Sequence, residues 1–183
     1  MPRTRTDTDR DSKVAEILAA AQVRLRDGGY EALSVAAISR ELGVAQNAIY
    51  WYFPSKDHLF VAALEELLRE IASRKPPKRR GEHRQILWWV DQLQELEDVR
   101  AAMYERARAS EVVAEFVTVL NATWRSMLSN ALAESIPEPD RPAVVDALLA
   151  TIQGVLIQPH TPAERRRIIE FAIERLTAPS QSG

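Results

Sequence analysis

Apolar residues recur every three or four positions along almost the whole chain, and no segment alternates with a period of two. That pattern predicts an all-α protein. Val14, Ile17, Leu18, Ala21 and Leu25 form the first stripe, on a helix that starts near Ser12 and stops at Gly28-Gly29. Residues 1–11 are polar and charged with nothing to bury, and read as a disordered arm, either a solvated tail or one whose Arg3, Arg5 and Arg10 touch nucleic-acid phosphates. A shorter stripe, Ala37, Ile38 and Leu42, follows Ser34, whose hydroxyl can accept a backbone N–H as an N-cap. Gly43 comes next. Glycine enters the left-handed conformation at little cost, so it ends this helix and turns the chain, with Val44 beneath the turn. The following helix, about 45–51, turns Ala48, Ile49 and Phe53 inward and leaves Gln46, Asn47, Tyr50, Trp51 and Tyr52 outside. Ser55 then caps a long helix whose Leu59, Phe60, Ala63, Leu64, Leu67, Leu68 and Ile71 make a wide apolar stripe.

The pattern breaks at residues 74–81, where Pro76 and Pro77 cannot continue a helix. Beyond this linker the period predicts helices near 82–97, 98–109, 110–135, 140–158 and 162–177. Asp140 and Thr161 stand at N-cap positions, and Pro162 occupies the favoured first turn. The expected organisation is an arm at 1–11, a helix-turn-helix head at 12–58 and a connecting helix at 59–74. A linker at 75–81, a second helical domain at 82–177 and a tail at 178–183 complete it.

A seven-residue helix whose outer surface is amides and phenols is poorly equipped for packing alone. Amides pair with adenine edges, and phenols and Lys56 suit phosphates, so the corner reads as a DNA-binding helix-turn-helix. The plainer reading is a helical corner in an ordinary all-α protein. The run Ile49-Tyr50-Trp51-Tyr52-Phe53-Pro54-Ser55-Lys56-Asp57-His58-Leu59-Phe60 resembles the end of the recognition helix in the tetracycline-repressor (TetR) family. That pattern is an apolar residue, Tyr, two variable positions, Phe, a short Pro/Ser/Asn turn, Lys, an acid or polar residue, and Leu. The resemblance extends over about residues 13–64. It implies a two-domain homodimer that holds an inverted-repeat DNA operator as a repressor and is released by a small hydrophobic or aromatic effector. Gln46 and Asn47 would read bases, and Trp51 would reach a thymine methyl or the backbone. Tyr50, Tyr52 and Lys56 would hold phosphates, helped by Ser34. One departure matters: Val35-Ala36-Ala37 offers no polar reader in the first turn of the preceding helix, so specificity would rest on the recognition helix.

Two apolar lines run along the fourth helix after the linker: Val144, Leu148, Thr151 and Val155, and Val145, Leu149, Ile152 and Leu156. Two stripes mean burial on both sides. With the last helix they predict a four-helix dimer interface of Val145, Leu148, Leu149, Ile152, Leu156, Ile169, Ile173 and Leu176, as the resemblance also implies. The resemblance places an effector pocket among the middle helices. Adjacent Trp88 and Trp89 cannot share one helix face, so with Trp124, Met103 and Asn121 they are the candidate lining. Arg165, Arg166 and Arg167 read as a solvated face.

Composition sets limits. At 183 residues, 46% of them hydrophobic, the chain can bury a substantial core. The net charge is −2, and residues 1–58 balance eight Arg and Lys against eight acids, which excludes a nonspecific nucleic-acid coat. A sequence-specific dimer needs only a local positive face. With no cysteine there is no disulfide or thiolate chemistry. His58, His83 and His160 lack zinc-site spacing, and no phosphate loop or nucleophile elbow is present, so neither enzyme, cofactor nor metal is expected. The N-terminus has no apolar signal core and no run approaches the roughly 20 apolar residues of a membrane span, so a cytoplasmic protein is expected. The competing reading is a helical interaction module without small-molecule sensing, and salt-sensitive DNA binding separates the two.

Overall fold

The computed structural model describes residues 5–74 and 81–178, and every regular element among them is helical. In chain order they are α1 (Arg5–Ala32), α2 (Val35–Leu42), α3 (Gln46–Tyr52), α4 (Lys56–Ser73) and α5 (Glu82–Leu93). A single 3-10 turn (Gln94–Leu96) then leads to α6 (Glu97–Arg106), α7 (Glu111–Ala131), α8 (Arg141–Ile157) and α9 (Pro162–Thr177). The fold is all-α, with an N-terminal helix-turn-helix followed by a helical C-terminal part.

The disordered arm is corrected in part. Helix α1 already runs from Arg5, because no proline or glycine stands between positions 5 and 27 and the anchored stripe lets the helix propagate backwards. Residues 1–4 lie outside the described residues, as do linker residues 75–80 and tail residues 179–183. The double-glycine stop holds: Gly29 has φ 63° and ψ −156°, a combination open essentially to glycine.

The chain divides into two compact units. The first joins Met1–Arg74 to Asp98–Val117, the second Lys75–Glu97 to Thr118–Gly183. In the first, α1 packs on α4, and Ile17, Ala21 and Leu25 are buried with Leu59, Phe60, Ala63 and Leu67. Full burial of each large side chain contributes about 1.5–3 kcal/mol. Val99, Met103 and Val113 are also buried in this unit, so the expected second domain at 82–177 loses residues 98–117 to the head. Hydropathy shows that these residues need a core but not which core they join.

In the second unit α9 packs on α8 and on α5. Thr161 caps α9, as the sequence leads one to expect, and Glu164 completes a reciprocal capping box with it. Asp140 does not cap α8 with its side chain; its own backbone is already helical. The residues expected at a dimer interface are covered within the chain itself. Val145, Leu148, Leu149, Ile152, Leu156, Ile169 and Ile173 are buried within one chain, and Leu176 is half-buried. Both stripes of α8 are consumed internally, by α9 and by the α7 side where Gln153 donates to Asn121 and Arg125 pairs with Asp146.

Candidate nucleic-acid interface

The site is built by local backbone chemistry. Ser34 Oγ accepts from the Ala37 N–H at 3.2 Å and starts α2. Gly43, at φ 64° and ψ 30°, ends it, while the Val44 N–H returns to the Ser39 carbonyl at 3.0 Å. The chain therefore leaves α2 in a fixed direction and enters α3. Ile49 is fully buried and Phe53 nearly so, which pins α3 by one side. Gln46, Asn47, Tyr50 and Trp51 face outward, and Tyr52 is half-buried. Trp51 is 67% exposed, an unusual state for the largest apolar side chain. Ala48, expected inside, is exposed, because a helix of two turns with Ile49 as its buried anchor has no room for a second inward residue.

Aromatic and cationic groups interleave around α3. Trp51 meets Tyr52 edge to face at 4.8 Å, and the Arg10 guanidinium lies 4.9 Å from the indole centroid. Lys56 Nζ stands 4.0 Å above the Tyr30 ring, which meets Phe60 edge to face at 5.1 Å. The Tyr30 hydroxyl donates to Asp57 Oδ1 at 2.7 Å, and Arg106 donates to Asp57 Oδ2 at 2.7 Å. Burial, then the hydrogen bond to the Asp57 carboxylate, push the Tyr30 hydroxyl up to about 12. Burial alone would raise Asp57, but hydrogen bonds from Arg106, Tyr30 and Ser110 outweigh it and hold the carboxyl below its ordinary value. The result fastens the first turn of α4 to the last turn of α1 and to the end of α6. Sequence reading left Tyr30 and Asp57 without roles. Tyr30 after the double glycine, and an acid directly behind Lys56, were the available signals; nothing in the sequence marks Arg106 as their partner.

The candidate effector residues fall in both units. Met103 is buried in the first unit, whereas Trp88, Trp89, Trp124 and Asn121 belong to the second. Trp88 and Trp89 are both half-buried and meet edge to face at 4.7 Å, and Trp124 is half-buried. Asn121 Oδ1 accepts from Gln153 Nε2 at 2.8 Å, so these two amides satisfy one another. Arg165 is no solvated charge: it is buried and paired with Glu97 at 2.6 Å, while Arg166 bridges Asp91 and Glu170. Among the described residues no group of three metal-ligating side chains is found, and no helix is long and apolar enough to cross a membrane.

Residues 17–63 match the family model described as bacterial regulatory proteins, tetR family. The HTH-type transcriptional repressor KstR of Rhodococcus jostii is 28% identical over 174 residues, covering 87% of this chain and 80% of that protein. The crystal structure of a transcriptional regulator from Rhodococcus sp. Rha1 superimposes with a TM-score of 0.73 at 24% identity, over 89% of this chain and 95% of that one. A candidate transcriptional regulator from Saccharomonospora viridis, solved in complex with choline, gives 0.67 at 16% identity, over 90% and 96%.

Proposed function

We propose that the chain, whose residues 17–63 match the tetR family of bacterial regulatory proteins, is a DNA-binding regulator of that family: a homodimeric repressor, cytoplasmic, that holds an inverted-repeat operator and releases it when a small hydrophobic or aromatic molecule binds. The observation that carries the DNA reading is the outward face of α3. Gln46, Asn47, Tyr50 and Trp51 are all exposed on a short helix fixed from behind by Ile49 and Phe53.

In the major groove, Gln46 and Asn47 offer a donor and an acceptor each, the pairing an adenine edge requires. Trp51 supplies an apolar face for a thymine methyl. The Tyr50 and Tyr52 hydroxyls and Lys56 take phosphates, and Ser34 Oγ keeps its proton to donate while its lone pair caps α2. A two-fold dimer places two such helices in successive major grooves, hence an inverted repeat.

The dimer surface we assign is the outer face of α8 and α9. Ala143, Ala150 and Ile157 are exposed at helical spacing on α8, nothing lies within 4 Å of a Cβ built on Gly154, and Phe171 on α9 is 59% exposed. Small residues let a partner helix approach closely, and the two large apolar groups would be covered by it. For the effector, the half-buried Trp88, Trp89 and Trp124 supply aromatic surface, and the choline complex is a precedent for a small molecule held by this fold. Release requires that the effector prefer the DNA-incompetent form of the dimer, so DNA must reciprocally weaken effector binding.

Selection of duplexes from a random pool, followed by footprinting, tests the reading. Tyr50→Phe should weaken binding to all sequences, whereas Gln46→Ala should flatten preference at one or two positions per half-site, by about 1–3 kcal/mol. If folded variants of both kinds bind like the parent, α3 is not the reading helix.

A further inference from the structure

We infer that Arg10, carried on the N-terminal extension of α1 and outside the segment that matches the family model, is a phosphate-binding residue of the operator interface that uses Trp51 as its platform. This rests on the reading of α3 as the recognition helix. Helix α3 has the sequence QNAIYWY and carries no charge of its own, so every cation beside it must come from another element. Three cations of the head are already engaged: Lys13 pairs with Glu16, Arg24 with Glu41 and Arg26 with Glu70. Arg10 has no hydrogen bond or ion pair among the described residues, and its guanidinium sits 4.9 Å from the centroid of the exposed Trp51 ring.

The geometry has a chemical consequence. A guanidinium held over an indole face by cation–π attraction, with no hydrogen-bond partner among the described residues, keeps its N–H donors available. Their planar fork matches the two oxygens of a phosphate in a bidentate arrangement. The contact also restricts both side chains before DNA arrives, so less rotamer freedom is lost on binding. Residue 10 reaches this place only because α1 is helical from Arg5; a flexible arm would fix no such contact. Arg10 is thus attached to the one exposed tryptophan of the recognition helix, where a groove-bound α3 brings the sugar-phosphate wall.

The test uses the full-length protein and a fluorescein-labelled duplex of about 30 base pairs, recovered by selection with the parent protein so that it spans two half-sites. Binding is measured by anisotropy from low to moderate salt. Arg10→Ala should lose several-fold affinity and reduce the slope of log K against log salt by about one unit per bound protomer, or two for a dimer. Arg10→Lys should keep the slope, since the charge remains, but not the full affinity, since the planar guanidinium is lost. An Arg10→Ala protein with unchanged affinity and slope overturns the inference. So does a loss of affinity at unchanged slope, which would reduce Arg10 to a brace for Trp51. If the parent protein selects no duplex at all, the operator reading itself fails and the inference falls with it.

Discussion

The Asp57 carboxylate offers the sharpest test of how the head is held together. It accepts hydrogen bonds from Tyr30 and Arg106 at 2.7 Å each, and its side chain is 15% exposed against 34% for Arg106. A hydrogen bond to a charged group is worth about 1.5–3 kcal/mol, and partial exposure of Arg106 places this pair toward the lower end. Asparagine keeps the shape and one acceptor oxygen but removes the charge. Asp57→Asn should therefore cost about 2 kcal/mol at neutral pH, measured by urea unfolding at fixed protomer concentration. The folded-state pKa of Asp57 is depressed, so its contribution is complete above the unfolded carboxylate value and lost as pH falls through the folded one. The gap between parent and Asp57→Asn should accordingly close in acid.

Tyr30 reports the same contact from the alkaline side. Its hydroxyl is pushed up to about 12, so the stability it contributes is present below the unfolded tyrosine value and lost as pH rises through the folded one. In Asp57→Asn an acceptor carboxylate is gone, and the last-titrating tyrosine should move back toward ordinary values in an ultraviolet titration. A double-mutant cycle with Arg106→Met should give a coupling of about 1 kcal/mol or more. Additivity within about 0.5 kcal/mol, or a stability difference that ignores pH, would refute the claim that residues 98–117 are fastened to the head through this carboxylate.

Two further perturbations address the turn and the dimer. Gly43→Ala meets nothing within 4 Å, yet φ 64° makes it cost about 1–2 kcal/mol through backbone strain alone, with operator affinity falling as α3 is re-aimed; a neutral effect on unfolding would remove the left-handed cap from the argument. Phe171→Glu on the exposed face of α9 should yield folded monomers that bind half-sites weakly, whereas Leu148→Glu, fully buried in one chain, should unfold the second unit; light scattering showing an intact Phe171→Glu dimer would place the partner surface elsewhere.

These contrasts mark where sequence was sufficient. Helix positions were legible because stripes, prolines and caps are local: Ser34, Gly43, Ser55 and the Thr161–Glu164 box lie within four residues of what they control. Ile49 and Phe53 as anchors of α3, and the outward amides and phenols, followed from the same local logic. Apart from local misses such as Ala48 and Asp140, the failures are questions of partner. Two apolar stripes on α8 correctly announced burial on both sides, but hydropathy does not distinguish a covering helix of the same chain from one of another copy. Asp57 and Arg106 are joined only by the tertiary fold, and no periodicity connects them. Arg165 looked solvated because its neighbours Arg166 and Arg167 are exposed; its depth depends on where Glu97 lies.

The charge economy of the head then constrains how specificity can work. Lys13, Arg24 and Arg26 are engaged by acids, which leaves Arg10, Arg40 and Lys56 as cations of residues 10–56 without an acidic partner among the described residues. If each takes one phosphate, a dimer releases counterions from six, giving a salt slope near −5. That is a modest electrostatic contribution, and it is the same for every sequence. A net charge of −2 over the chain adds little nonspecific attraction. On the proposed reading of α3, discrimination between operator and bulk DNA rests on Gln46, Asn47 and the Trp51 face, since Val35-Ala36-Ala37 at the start of α2 provides no polar reader. On that reading, a head with three unpaired cations among its described residues 10–56 and with outward amides should bind random DNA weakly and gain its occupancy where the base edges match.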